Sequence, residues 1–155
     1  MTQRRIGVIS DTHGLLRPEA VAKLRGSELI VHAGDIGKAE VLEGLRALAP
    51  VKAVRGNVDR EPWARALPRI EAFEIDQVGV CVVHDLGELE RVPEAARFKV
   101  VVSGHTHQPA IEERNGILFI NPGSAGPRRF HIPVTMALFH VQGASVDAEL
   151  LTLDT

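Results

Sequence analysis

RRIGVISDTHGLLRPEAVAKLRGSELIVHAGD, residues 4–35, runs strand, helix, strand in a single line. Residues 5–10 are a short β-branched run of the kind that forms a buried strand. A helix is expected from Pro18, a good first-turn residue, to a stop at Gly26. Residues 28–33 supply the next strand. The unit then repeats. A helix is expected over 38–48 with Val41, Leu42, Leu45 and Leu48 on one face, Pro50 stops it, and 51–55 is a third strand. A βαβαβ order implies parallel strands joined by right-handed crossovers.

The second half reads differently. Residues 69–75 and 78–84 form a hairpin turning at Asp76-Gln77, and 93–97 a short helix. Residues 99–103, 110–114, 117–121, 135–141 and 145–151 read as strands, with hairpin-like turns at Asn115-Gly116 and Gln142-Gly143. So many strands exceed one comfortable sheet and favour two packed sheets with helices outside. No repeat, linker or low-complexity tract divides the chain, so 1–155 is expected to be a single α/β domain.

Composition narrows the class. With 45% hydrophobic and 25% charged residues the chain is an ordinary globular sequence. A net charge of −2 and scattered Lys and Arg do not indicate a nucleic-acid partner. No apolar stretch approaches the ~18 residues of a membrane span, and no apolar signal segment precedes the first strand, so a cytoplasmic location is expected. Cys81 is alone and sits inside an apolar run, a small buried hydrophobe in a reducing compartment.

Five polar clusters stand directly after apolar runs: Asp11-x-His13, Gly34-Asp35, Gly56-Asn57, His84, and Gly104-His105-Thr106-His107. In open α/β sheets ligands bind outside the carboxyl ends of strands, so five such ends can converge on one spot. Their two carboxylates, one amide and four imidazoles are about enough donors for two divalent ions. With no second Cys, a thiolate zinc site is excluded. Mixed carboxylate, imidazole and amide donors suit Mn²⁺, Fe²⁺, Co²⁺, Ni²⁺ or Zn²⁺ rather than an all-oxygen cage. Asp11 and His13, and likewise His105 and His107, are expected to alternate along extended segments and project from one side. The preceding glycines are expected to permit tight turns. Two ions bridged by a carboxylate and a hydroxide lie ~3.5–4 Å apart, an arrangement that clamps a phosphoryl group for in-line displacement. Two acidic ligands leave such a centre positive, which favours an anionic phosphate substrate.

At these residues, together with Asn121-Pro122-Gly123-Ser124, the chain resembles the calcineurin-like metallophosphoesterase superfamily, and within it the small YfcE-type phosphodiesterases. The matching motifs span most of the chain in the family's order. The resemblance implies a four-layer αββα sandwich of two mixed sheets flanked by helices, the metallo-dependent phosphatase fold. It implies that Asp11, His13, Asp35 and His107 hold one metal and that Asp35, Asn57, His84 and His105 hold the other, with Asp35 bridging. Mn²⁺ heads the candidate ions. Asn57 and His105 would orient the substrate phosphate. The implied activity is a binuclear phosphodiesterase whose metal-bridging hydroxide attacks a small phosphodiester.

Two departures bear on this. Many superfamily members carry Gly-Asn-His, and that His serves the leaving group; here Val58 follows Asn57, as small YfcE-type members also tend to have it. Without general-acid help, activated aryl diesters are expected to react and alkyl monoesters to react weakly. His84 is followed by Asp85-Leu86-Gly87 where the family has a nearer Gly; Asp85 is either an acceptor for an imidazole N–H or a solvated loop residue. Arg128 is a candidate contact for the substrate phosphate, though it and Arg129 could equally face solvent. His32 is read as buried support, His131 and His140 as structural or exposed, and Trp63 as a loop anchor. Two rival readings stand beside the enzyme. One is a non-catalytic metal-binding scaffold like the retromer subunit, which shares the fold but has lost some imidazole ligands. The other is a nuclease, for which the chain lacks a basic groove signature. A homodimer is compatible with exposed sheet edges.

Overall fold

The computed structural model describes residues 3–91, 98–129 and 131–155. The first half runs β1 (Arg4–Ile9), α1 (Pro18–Leu24), β2 (Leu29–His32), α2 (Ala39–Arg46), β3 (Val51–Ala53), α3 (Pro62–Arg65). Then follow β4 (Ile70–Ile75), β5 (Val78–Val83), a 3₁₀ turn (Leu86–Arg91), β6 (Val100–Val102), β7 (Ala110–Arg114), β8 (Ile117–Asn121), β9 (Thr135–Gln142) and β10 (Ser145–Thr152). Every strand expected from the sequence is present, within one or two residues at each end. The short helix α3 and the 3₁₀ turn were not foreseen, and the helix expected at 93–97 lies outside the described residues.

Ten strands make two five-stranded mixed sheets, ordered β10-β9-β1-β2-β3 and β4-β5-β6-β8-β7. In the first, β1, β2 and β3 are parallel and β9 runs antiparallel to β1. In the second, β5, β6 and β8 are parallel, with β4 and β7 antiparallel at the edges. Alternation sorts the side chains. Ile6, Val8 and Val31 face Val80, Val82, Val100, Val102 and Ile120 across the inter-sheet core, with Phe139 filling it. On the outer face of the first sheet, Ile9, Ile30, Ala53, Met136 and Leu138 take Ala20 and Leu24 of α1 and Val41, Leu42 and Leu45 of α2. Gly7 points to that same face, where a Cβ would collide with Leu24. α1 thus lies close on β1, and a side chain at position 7 would require Leu24 to move. Outside the second sheet, Cys81, Val83 and Val101 pack on Leu89 of the 3₁₀ turn and on Phe98. Burial pushes the Cys81 thiol up to about 11, so it behaves as the expected inert hydrophobe. Among the described residues no helix is long and apolar enough to cross a membrane.

Parallel pairing has one consequence for chemistry. The carboxyl ends of β1, β2 and β3 open on one edge of their sheet, and those of β5 and β6 on one edge of the other. Asp11, Asp35 and Asn57 follow the first three; His84 and His105 follow the other two. Strand polarity brings the donor-bearing loops to one end of the sandwich.

Candidate metal centre

Asp11 and Asp35 are buried after β1 and β2, and each uses one oxygen on protein groups. Asp11 Oδ2 accepts from Ser10 Oγ at 2.6 Å and from the His105 N–H at 3.2 Å. Asp35 Oδ1 accepts from the Val58 N–H at 3.1 Å. The remaining oxygens face imidazoles. Asp11 Oδ1 lies 3.3 Å from His107 Nε2 and 3.9 Å from His13 Nε2. Asp35 Oδ2 lies 3.3 Å from His84 Nε2 and 3.7 Å from His13 Nε2. Two donor groups result: Asp11 with His13 and His107, and Asp11 with Asp35 and His84. Asp11 is common to both, while Asp35 reaches an imidazole of each.

The donors fit a cation. Asp11 Oδ1, His13 Nε2, His84 Nε2 and His107 Nδ1 are buried without a hydrogen-bond partner. Orphaned buried polar atoms are costly unless something satisfies them. His84 shows the logic most clearly. Its Nδ1 bonds the Ala33 carbonyl at 2.7 Å, which fixes the tautomer that leaves a lone pair on Nε2. That lone pair would face Asp35 Oδ2 at 3.3 Å, a pairing that demands a proton or a metal ion between them. Burial opposes the charged ring, but Asp35 outweighs it and raises the His84 pKa. Burial would likewise raise the Asp35 carboxyl, yet His84 beside it and the Val58 N–H hold it down to about 2. Both shifts arise from the one Asp35–His84 contact.

The backbone carries the cost. Among the described residues, seven non-glycines have positive φ, and five are donors: Asp11 (54°), His13 (46°), Asp35 (57°), His105 (72°) and His107 (64°). The expected extended alternation of Asp11 with His13, and of His105 with His107, is therefore wrong. These residues turn in left-handed conformation, at about 1–3 kcal/mol each, and the loops around them hold that geometry. Gly34 (φ 104°) does allow a tight turn. Gly56 and Gly104 instead permit close approach, since a Cβ on Gly56 would strike Asp35 and one on Gly104 would strike Ser10 Oγ.

The remaining sequence candidates fall around this cluster. His105 is more exposed, its ring edge-on to His84 with centroids 5.3 Å apart. Asn57 is exposed beside Gly56, next to Asp35, at the rim of a cavity of about 460 Å³. Asp85 takes a middle course: one oxygen accepts from the Gly87 N–H at 3.0 Å, and the other lies 3.9 Å from His105 Nε2. Arg128 is exposed and donates to Thr155 Oγ1 at 2.7 Å, in a cleft that it shares with His107 and Arg129. Asn121 braces the histidine loop by donating to the Gly104 carbonyl and to Thr106 Oγ1, both at 3.1 Å. His131 is exposed, and His140 lies 3.5 Å from Asp147. Trp63 anchors α3, as expected of a loop anchor, by packing on the helix-side core.

Sequence reasoning missed two supports. Asp59 is buried and accepts three backbone N–H groups: Ile36 at 3.1 Å, Gly37 at 3.0 Å and Gly56 at 2.9 Å. It ties the Asp35 loop to the Asn57 loop. The second is the Thr12 hydroxyl, which donates to the Ile36 carbonyl at 2.8 Å and accepts from His32 Nε2 at 3.0 Å. His32 Nδ1 accepts the Gly34 N–H at 3.0 Å, so both ring nitrogens are used by the neutral form. Burial lowers this imidazole to about 3, against 6.5 ordinarily. Between those pH values the unfolded chain binds a proton that the folded chain refuses. Stability therefore falls as pH drops below about 6.5, by up to about 1.4 kcal/mol per unit from this residue. Urea unfolding of the native chain and His32→Gln across pH 7 to 4.5 tests this: the variant is less stable at pH 7 and has the shallower slope. Equal slopes would remove His32 as the cause.

Two mixed sheets in a sandwich, with carboxylates and imidazoles gathered at their strand ends, define a metallophosphoesterase-type protein. The chain belongs to the calcineurin-like phosphoesterase superfamily, whose domain matches residues 5–144. It is 40% identical to a probable metallophosphoesterase of Methanothermobacter thermautotrophicus over 94% of this chain and 91% of that protein. It is 32% identical to the phosphodiesterase YfcE of Escherichia coli K12, over 74% of this chain and 76% of that protein. Among solved structures, Vacuolar Protein Sorting 29 from Cryptosporidium parvum superposes with a TM-score of 0.79 over the whole of both chains, at 20% identity. That likeness is one of fold.

Proposed function

We propose that this protein is a metal-dependent phosphodiesterase acting on small phosphodiesters through a binuclear centre. The observation that carries the reading is the pair of buried carboxylates, each with one oxygen turned to imidazoles, where Asp11 Oδ1 and the Nε2 atoms of His13 and His84 lack hydrogen-bond partners. Asp11, His13, Asp35, Asn57, His84, His105 and His107 would hold two divalent ions, Mn²⁺ foremost, with Asp35 between them. Bound there, the ions would supply Lewis acidity and lower the pKa of a water held between them enough for it to attack phosphorus near neutral pH.

The chain's own groups set the rest. Asn57 and His105 would orient the non-bridging oxygens of the phosphate, a reading supported by their being more exposed than the other donors. Asp59 and Asn121 fix the loops that carry them. Val58 is half exposed and has no proton to give, so the leaving group must depart as a stable anion. Acidic phenols satisfy this and alkoxides do not, a difference of about 10²–10⁴ in rate.

The test is the full chain stripped with chelator and reloaded separately with Mn²⁺, Ni²⁺, Co²⁺, Zn²⁺ and Fe²⁺. Bis-p-nitrophenyl phosphate is expected to turn over with at least one ion, and alkyl monoesters far more slowly. Silence with all five would favour a scaffold role of the kind its Vps29-like fold also accommodates.

A further inference from the structure

Four arginines line the cavity beside Asn57. The segment between β3 and β4 closes on itself, with the Arg55 N–H bonded to the Pro68 carbonyl at 2.9 Å. Trp63 and Leu67 pack on the helix-side core and Ala64 is buried, which pins the segment. Outward lie four arginines and one acid, Glu61, which accepts the Trp63 ring N–H at 3.0 Å. Arg55, Arg60, Arg65 and Arg69 line the cavity of about 460 Å³ together with Gly56, Asn57 and Asp59. Its one acid, Asp59, is buried and occupied by three backbone N–H groups. Arg69 pairs with Glu88 at 3.1 Å, and Arg60 Nε bonds the Asn57 carbonyl at 3.3 Å. Arg55 and Arg65 have no carboxylate partner among the described residues. In a chain of net charge −2 this concentration is local. Arg55 and Arg65 are thus guanidiniums without a carboxylate among the described residues, and an anion relieves their repulsion by the neighbouring cations while taking bidentate hydrogen bonds.

We propose that this cavity binds a second, ionised phosphate group on the substrate, so that the preferred substrate is a phosphodiester carrying a further phosphate, about the size of a phosphorylated nucleotide. The inference rests on the phosphodiesterase reading and narrows its substrate class. Asn57 joins the two regions: it belongs to the cavity wall and follows Gly56, which abuts Asp35. A diester seated at the donors through one phosphate therefore extends its other phosphate to the arginines. The cavity is a pocket bounded by one loop and one short helix, which suits a small polyanion better than a polymer.

The test compares thymidine 5′-(p-nitrophenyl phosphate) with the same compound bearing a 3′-phosphate. Leaving group and diester are identical, so the ratio of kcat/KM reads the added phosphate alone. The native chain is expected to favour the 3′-phosphorylated ester by about tenfold to a hundredfold. In the Arg55→Ala/Arg65→Ala double variant, shown folded by its thermal melt, the ratio falls to about one. No preference in the native chain, or a preference that survives in the variant, overturns the proposal. Calorimetric titration with thymidine 3′,5′-bisphosphate and thymidine 5′-monophosphate reads the same pocket without turnover. If neither ester is hydrolysed, the phosphodiesterase reading fails. The pocket then stands on tighter binding of the bisphosphate that the double variant loses, and falls if the two ligands bind alike.

Discussion

With Asn in place of Asp35, turnover of bis-p-nitrophenyl phosphate drops at least about 10³-fold, equivalent to about 4 kcal/mol of transition-state stabilisation. The expectation follows from what each oxygen does. Oδ1 accepts the Val58 N–H, and Oδ2 faces His84 at 3.3 Å and His13 at 3.7 Å. An asparagine can accept from Val58 and donate to an imidazole lone pair, but it has no second oxygen to offer a cation. With its oxygen toward Val58 its amide nitrogen faces two imidazoles, and in the reverse orientation it confronts a backbone N–H. Either way a negative charge is lost between two groups of donors, which weakens the hold on any cation there. Elemental analysis of the purified variant should show less metal than the parent chain. Undiminished turnover with full metal content would take Asp35 out of the centre. Asp11→Asn is the informative companion, because Asp11 belongs to both donor groups. If the Asp11 variant loses more metal than the Asp35 variant, the shared ligand is Asp11.

Much of this arrangement is legible in the chain because strand polarity does the work. A β-branched run that ends in a donor places it at a carboxyl edge, and parallel pairing brings those edges together. Neither inference needs knowledge of loop shape. Where loop shape matters, local reading fails. Spacing alone makes Asp11 and His13 an alternating pair, but the chain turns left-handed at both, a choice imposed by neighbours distant in sequence. The His13 N–H, for example, is bonded to the Asp35 carbonyl at 2.9 Å. The arginines between β3 and β4 illustrate the same limit. At positions 55, 60, 65 and 69 their spacing fits neither the helix period of 3.6 nor the strand period of 2, and they read as scattered. Only the fold of the segment, with Trp63 and Ala64 inward, gathers them into one wall. The 3₁₀ turn Leu86–Arg91 escaped because six residues with one buried apolar side chain, Leu89, carry no periodic signal.

Asp59→Ala is expected to cost about 3–5 kcal/mol of stability, more than any single surface change and enough to lower the melting temperature by about 10 °C. The carboxylate is 2% exposed and satisfies three backbone donors at once, from Ile36, Gly37 and Gly56. Alanine leaves all three without acceptors in a space that Gly37 and Gly56 keep too tight for easy repacking: a Cβ on Gly37 would meet the Gly14 nitrogen and one on Gly56 would meet Asp35. Those two loops carry the proposed ligands on β2 and β3, so the damage reaches the chemistry. A ligand displaced by about 1 Å costs about 10²-fold in rate, and the variant should show that loss even at temperatures where it remains folded. Asp59→Asn separates the two effects. Its single oxygen can still accept from Ile36 and Gly56 at the Oδ2 position, while its NH₂ opposes the Gly37 N–H. Stability should then fall by about half as much as in the alanine variant, and activity by correspondingly less. A melt of Asp59→Ala within 2 °C of the parent would mean that the three donors find water instead, and Asp59 would lose its place as the tie between the two loops.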